Sequence, residues 1–297
     1  MEAARADGLM TTHRARGLLL VLPALTVVAL ACCGLALAVR GSLADGLGAG
    51  WSPAAYAGLL DDPVLVGSLL LSLKIAAAGT AGSAVLALAV VGAVSTARRS
   101  RGVVEAVARA TLAVPHALAA AAFALLLAGS GLLSRLARAA GWTDEPADFP
   151  ALVAGEGQIA IVLSYVWKEA PFIVLMLLAA HTPAVRDLET AVRTLGAGRW
   201  QRLRHVTWPL LAAALLEACL LVFAFTFAAY EIPALLGATA PRALPVEAVE
   251  LYRSVALEDR PRALALAVVI GAVVALAALA AAVISRRLLR ARVGAGR

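Results

Sequence analysis

The chain has 297 residues, of which 62% are hydrophobic, and a mean hydropathy of +0.88. A soluble globular domain carries an apolar share of about 45–50%, and no polar stretch here is long enough to form such a domain. The net charge of +7 is dispersed in short clusters between apolar runs, which argues against a nucleic-acid surface and suits membrane orientation.

A helix needs about 20 apolar residues to cross the hydrocarbon core. Six runs qualify, at residues 17–39, 64–94, 103–128, 158–180, 210–230 and 263–284. They are continuous rather than alternating, so the expected fold is an all-α integral membrane protein with about six transmembrane helices, not a barrel. The first run follows Arg14 and Arg16 and contains Cys32 and Cys33. A cleaved leader or lipoprotein signal would predict an exported soluble domain downstream; none follows, so the run reads as a retained helix. The second run is long for one crossing, and it holds Lys74, Gly79 and Gly82. It is expected either to bend or to follow an interfacial turn, with Lys74 snorkelling or marking the break.

The helices are rich in Ala and Gly, as in Gly79-Thr80-Ala81-Gly82-Ser83. Small residues let helices approach closely in lipid, although codon usage produces the same bias. Lys168 and Glu169 fall near the middle of the fourth run, just before Pro171. An ionisable group at that depth needs a partner, a cavity or a route to the interface. Two readings stay open: residues lining a passage, or an ion pair stabilising a helix kinked at the proline. Glu217 in the fifth run is expected to pair with a basic residue. Tyr230 and Glu231 lie at the outer end of that run, as part of a passage or, for Tyr230, as an interfacial anchor.

Orientation follows from the arginines. Arg5, Arg14 and Arg16, then Arg98, Arg99 and Arg101, then Arg186, Arg193, Arg199, Arg202 and Arg204, then Arg286, Arg287, Arg290, Arg292 and Arg297 all share one side if there are six crossings. The other side carries most of the acids. Both termini are therefore expected in the cytoplasm, in a multi-pass protein of the plasma membrane.

The loop after the fourth run reads Asp187-Leu-Glu-Thr-Ala-Val-Arg-Thr-Leu-Gly-Ala-Gly-Arg-Trp-Gln-Arg-Leu-Arg-His-Val-Thr-Trp-Pro209. Leu188, Ala191, Val192 and Leu195 recur at helical spacing, with charges on the other face. Gly196 and Gly198 supply a helix stop and turn. A second amphipathic piece from Trp200 runs into Pro209, at a helix's first turn. This predicts a short helix across the cytoplasmic face with an elbow back into the membrane. A basic loop that binds only lipid headgroups would show the same charges.

This loop resembles that of the MetI-like permeases of binding-protein-dependent ABC importers, with its Glu-Ala-Ala, three residues, Gly, nine residues and Ile-x-Leu-Pro. Here Thr190-Ala191-Val192 stands at the triplet, Gly196 follows after three residues, and Val206-Thr207-Trp208-Pro209 comes nine later. Thr190 replaces the family's acid, which Glu189 could supply instead. Trp167 to Phe172, Glu231 to Gly237 and Leu244-Pro245-Val246 add shorter matches, the last two most similar to the branch serving polyamine, iron and thiamine.

The resemblance implies a cytoplasmic tail over 1–16, a first helix over 17–39, a permease core over 64–284 with a coupling loop over 181–209, and a basic tail over 285–297. It implies that Glu189, Thr190, Ala191, Arg193, Gly196, Ala197, Trp200 and Pro209 meet an ATPase, and that Lys168, Glu169, Tyr230 and Glu231 belong to a translocation path. The implied partners are ABC ATPase subunits, a second permease (homologous or identical), an extracytoplasmic solute-binding protein and membrane lipid. The implied cargo is a small polar solute.

No phosphate-binding Gly-x4-Gly-Lys-Ser/Thr occurs, so ATP hydrolysis is expected in a partner and the chain is not expected to be an enzyme. His13, His116, His181 and His205 lack metal-ligand spacing, and no cofactor or catalytic set is expected. The alternative function is an ion-gradient-driven secondary transporter, whose inverted repeats are not seen. A membrane-embedded enzyme would want clustered acids or histidines at one interface.

Overall fold

The computed structural model describes residues 2–44, 50–94 and 98–294. Side chains of residues 2–20 and 287–294, and of Leu60, Arg98, Arg99, Pro183, Arg186, Arg199 and Leu210, are not described. The tail arginines other than Arg286, together with Arg98, Arg99, Arg186 and Arg199, therefore enter the orientation argument through sequence alone.

The elements in order are α1 (Glu2–Ser42), α2 (Ala54–Asp61), α3 (Pro63–Val94), α4 (Arg98–Ala113), α5 (His116–Leu127), α6 (Leu132–Ala139), α7 (Ile159–Ala180), α8 (Pro183–Thr194), α9 (Arg199–Arg202), a π-helical turn (Leu203–Thr207), α10 (Trp208–Ala228), α11 (Glu231–Leu236), α12 (Leu244–Arg253) and α13 (Asp259–Gly294). There is no strand among the described residues beyond an isolated bridge between Ala44 and Trp51. Six helical spans are long and apolar enough to cross a membrane: Val21–Ser42, Pro63–Val94, His116–Ala139, Ile159–Ala180, Leu211–Ala228 and Asp259–Arg286. In each such helix the backbone groups are satisfied within the segment, as lipid requires.

The second run is one continuous helix of 32 residues, α3, and the short α2 precedes it, as one of its two expected forms has it. The third is not one helix. It breaks at Val114-Pro115, into α4 and α5, because Pro115 has no N–H to continue the ladder.

The core centres on α7, against which α3, α4, α5 and α10 pack. The α3–α7 seam is close because glycines line it. A Cβ on Gly82 would stand 2.5 Å from Val166 Cγ2, and one on Gly79 would stand 3.3 Å from Tyr165 Cβ. At one end, Ala87 and Val91 of α3 meet Ile173 and Leu177 of α7 and Leu211, Ala218 and Val222 of α10. At the other, Ile75 meets Ala120, Tyr165, Ile232 and Leu236. A third cluster joins Leu65 and Ala76 to Phe227, Leu244 and Leu266. In contrast, α1 packs on α13 and leaves its side chains from 21 to 37 exposed in the single chain.

Candidate functional site

The loop between α7 and α10 is built by strong local signals. Thr182 caps α8, its hydroxyl accepting from the Val185 N–H at 3.4 Å, with Pro183 in the first turn. The helix ends where the sequence places its stop. Gly196 has φ +88°, its N–H donates to the Arg193 carbonyl at 3.0 Å, and the Ala197 N–H donates to the Val192 carbonyl at 3.2 Å. These two bonds form a Schellman stop, satisfying carbonyls that the last turn leaves open. The next helix, α9, begins after Gly198, whose N–H donates to Gln201 Oε1 at 2.9 Å. A π-helical turn then leads into α10, with Pro209 in its first turn.

Leu195 is 85% exposed and Trp200 71% exposed, so the loop turns apolar side chains outward. Thr190, Ala191, Arg193 and Gly196 are exposed as well, and Ala197 and Pro209 half-buried. Glu189 points the other way. Its Oε2 lies 3.2 Å from Nε2 of His181, just past the end of α7, and its Oε1 accepts from the Thr207 hydroxyl, just before α10. Behind the loop lies a cleft of about 710 Å³ lined by Leu88, Val91, His181, Glu189, Trp208 and Leu211, among others.

A second polar cluster sits at the middle of the bundle. Glu169 is the eleventh of the 22 residues of α7 and marks its midpoint. Lys168 and Glu169 are 2% and 8% exposed, and both reach the break between α4 and α5. Lys168 Nζ donates to the Thr111 and Leu112 carbonyls at 3.2 and 3.0 Å. The Thr111 carbonyl accepts from the Val114 N–H at 3.2 Å, but the residue four on is Pro115 and offers no N–H, so the ammonium is its second donor. Glu169 Oε1 lies 3.0 Å from His116 Nε2, at the first residue of α5. Neighbours in sequence thus serve the two ends of one break, without α7 itself being interrupted at Pro171.

The other expected path residues lie apart from this cluster. Tyr230 is half-buried at the residue before α11, without a side-chain cap, and Glu231 is exposed at its start. Lys74 is exposed on α3, consistent with a reach toward an interface or a partner. Glu217 was expected to pair with a basic residue; it is exposed and makes no ion pair among the described residues. Residues that the sequence did not single out are Pro115, His116, His181 and Thr207. Among the described residues no group of three or more His, Cys, Asp or Glu could hold a metal ion.

The six membrane-crossing spans and the capped, glycine-stopped loop helix make this chain a helical integral membrane protein. The chain belongs to the family described as the binding-protein-dependent transport system inner membrane component, which matches residues 79–293. Over 62 residues it is 40% identical to the trehalose/maltose transport system permease protein MalF of Thermococcus litoralis, a match covering 21% of each chain. The matched segment thus spans about a fifth of that relative's length. The fold is also similar to a bacterial ABC transporter involved in the import of the acidic polysaccharide alginate, with TM-score 0.65 and 18% identity over 80% of this chain and 85% of that one. A bacterial alginate ABC transporter in complex with alginate pentasaccharide-bound periplasmic protein gives TM-score 0.70 and 18% identity over 96% of each chain. At that identity the likeness is one of fold.

Proposed function

We propose that this chain is the transmembrane permease subunit of an ATP-binding-cassette importer. It moves a small polar solute, delivered by an extracytoplasmic binding protein, across the plasma membrane, while separate subunits hydrolyse ATP. The observation that carries this reading is the loop: a helix stopped at Gly196 with φ +88° and returned to the membrane at Pro209, within a family of binding-protein-dependent transport components.

In this reading the permease core runs over 64–284, between a first helix over 17–39 and a basic tail over 285–297. Both termini and the loop face the cytoplasm. Ala191, Arg193, Gly196, Ala197 and Trp200 form the ATPase-facing surface with Thr190, and Pro209 sets the elbow. Lys168 and Glu169 with Tyr230 and Glu231 border the solute path, shared with a second permease.

For the solute, the segments Glu231 to Gly237 and Leu244 to Val246 support the polyamine-type branch, and the lone carboxylates Glu217 and Glu231 suit a cationic or hydroxyl-rich cargo. The names of the relatives point to sugars, which share the second of those chemistries. One feature favours an ion-driven transporter instead, since the third apolar run is broken at Pro115, beside the midpoint of α7, as discontinuous helices are in that class. The other five spans are each one continuous helix, so no matching break makes a repeat.

The test is purification with co-encoded subunits, followed by uptake in proteoliposomes. Two permease chains, two ATPases and ATP-dependent uptake are expected. Uptake driven by an ion gradient with no ATPase present would overturn the reading.

A further inference from the structure

We infer that Glu189 is a positioning residue that locks the loop helix to two membrane-crossing helices at once, acting inside the chain rather than on the ATPase. The inference rests on the coupling role proposed above for the loop.

The elements that α8 packs against most closely are α9 and the π-helical turn, and the cleft of about 710 Å³ lies between it and the near ends of α3 and α10. Across that cleft the core presents Leu88, Val91, Leu211 and Leu215. The helix is jointed at both ends, at Thr182 before it and at Gly196 after it. A short helix that stands off its support with a joint at each end has little apolar packing to set its angle.

Glu189 spans the gap. One carboxylate oxygen lies 3.2 Å from His181 Nε2, and the other accepts from the Thr207 hydroxyl. The His181 and Glu189 side chains are 4% and 20% exposed, so water competes little for the link. One oxygen accepts a hydrogen bond from the last residue before α10, and the other lies at ion-pair distance from the residue that follows α7. A push on α8 is therefore delivered to α7 and α10 together. Without the link, the same push is absorbed by rotation about the two joints. The outward side chains of the loop, Leu195 and Trp200, remain to meet the partner.

The experiment uses the full importer, reconstituted with its ATPase, and reads ATPase co-purification together with ATP hydrolysed per solute imported. Glu189→Ala and Thr207→Val should each keep the ATPase bound while raising the ATP-to-solute ratio several-fold. Thr207→Ser, which restores the hydroxyl, should return the ratio to the wild-type value, and the double variant Glu189→Ala/Thr207→Val should be no worse than Glu189→Ala. Loss of the ATPase in Glu189→Ala, with Thr207→Val normal, would make Glu189 an ATPase contact and overturn the inference. An unchanged ratio in both single variants would overturn it too, leaving the proposed function intact. A wild-type chain that retains no ATPase would instead overturn the proposed function, and this inference with it.

Discussion

Glu169 Oε1 lies 3.0 Å from His116 Nε2, tying the midpoint of α7 to the first residue of α5. The imidazole also packs against Phe225 of α10, with ring centroids 4.8 Å apart, so one side chain joins three elements at mid-bundle. His116→Ala removes the ring contact and leaves the mostly buried carboxylate without this partner. A buried polar group left unsatisfied costs about 1–3 kcal/mol. The variant should show a lower thermal transition in detergent, measured by tryptophan fluorescence. His116→Gln, which can still donate to Glu169, should lose less. Equal transitions in wild type and His116→Ala would show that the contact adds no stability.

The seam between α3 and α7 makes a second prediction. A Cβ at Gly82 would fall 2.5 Å from Val166 Cγ2, closer than carbon atoms approach. Val166 is β-branched and stiff at χ1, so the seam has to open for Gly82→Ala. Overpacking of this kind costs about 1–3 kcal/mol. Val166→Ala should recover most of that loss in the double variant, because it removes the obstructing methyl groups. Gly92, further along the same helix, has nothing within 4 Å of its would-be Cβ, so Gly92→Ala serves as the control and should keep the wild-type transition. A Gly82→Ala variant as stable as that control would mean the helices are looser than the seam shows.

The loop geometry and the crossings were legible in the sequence, while the polar pairings were not. Gly196 could be read as a stop because a residue at positive φ strongly favours glycine, and the signal is carried by one position. Hydropathy shows an apolar run but passes over a single proline inside it, so the break at Pro115 was hidden in the run over 103–128. The partners of the buried charges were invisible for another reason. His116 and Glu169 are 53 residues apart, and no local spacing links them. Only the packing of α5 on α7 brings them together. The Glu189 contact with His181 was closer to readable, since Thr182-Pro183 is a helix start and the two residues are only eight positions apart.

Topology gives a third prediction, from the distribution of arginine across the loops. Once Cys32, Cys33 and Cys219 are replaced, a single cysteine at position 199 should be protected from a membrane-impermeant thiol reagent applied outside sealed cells. Single cysteines at positions 142 and 247 should react. The structure places Trp142, 82% exposed, beyond the end of α6, which makes it a sensitive probe. Labelling of position 199 from outside would reverse the orientation and put the loop out of reach of any cytoplasmic ATPase.

The fourth prediction concerns Gly196, where backbone conformation and space can be separated. Its φ of +88° is one that side chains rarely adopt, yet nothing lies within 4 Å of a Cβ built there. Within the chain, the strain of a substitution at this site comes from the backbone conformation rather than from a clash of its Cβ. For an ordinary L-residue the left-handed conformation costs about 1–2 kcal/mol, more for a β-branched one, whereas Asn tolerates it. Gly196→Val should disturb the Schellman stop, in which the Gly196 and Ala197 N–H groups close on Arg193 and Val192, and turn α9 away from its place. The protein should still insert, since the crossings are untouched. It should lose ATPase co-purification or ATP-driven uptake, while Gly196→Asn should keep most of both. Asn and Val are of similar bulk, so the Asn variant controls for side-chain size against the partner: a Val variant that transports as well as wild type, at equal expression, would show that the angle between α8 and α9 does not carry the coupling.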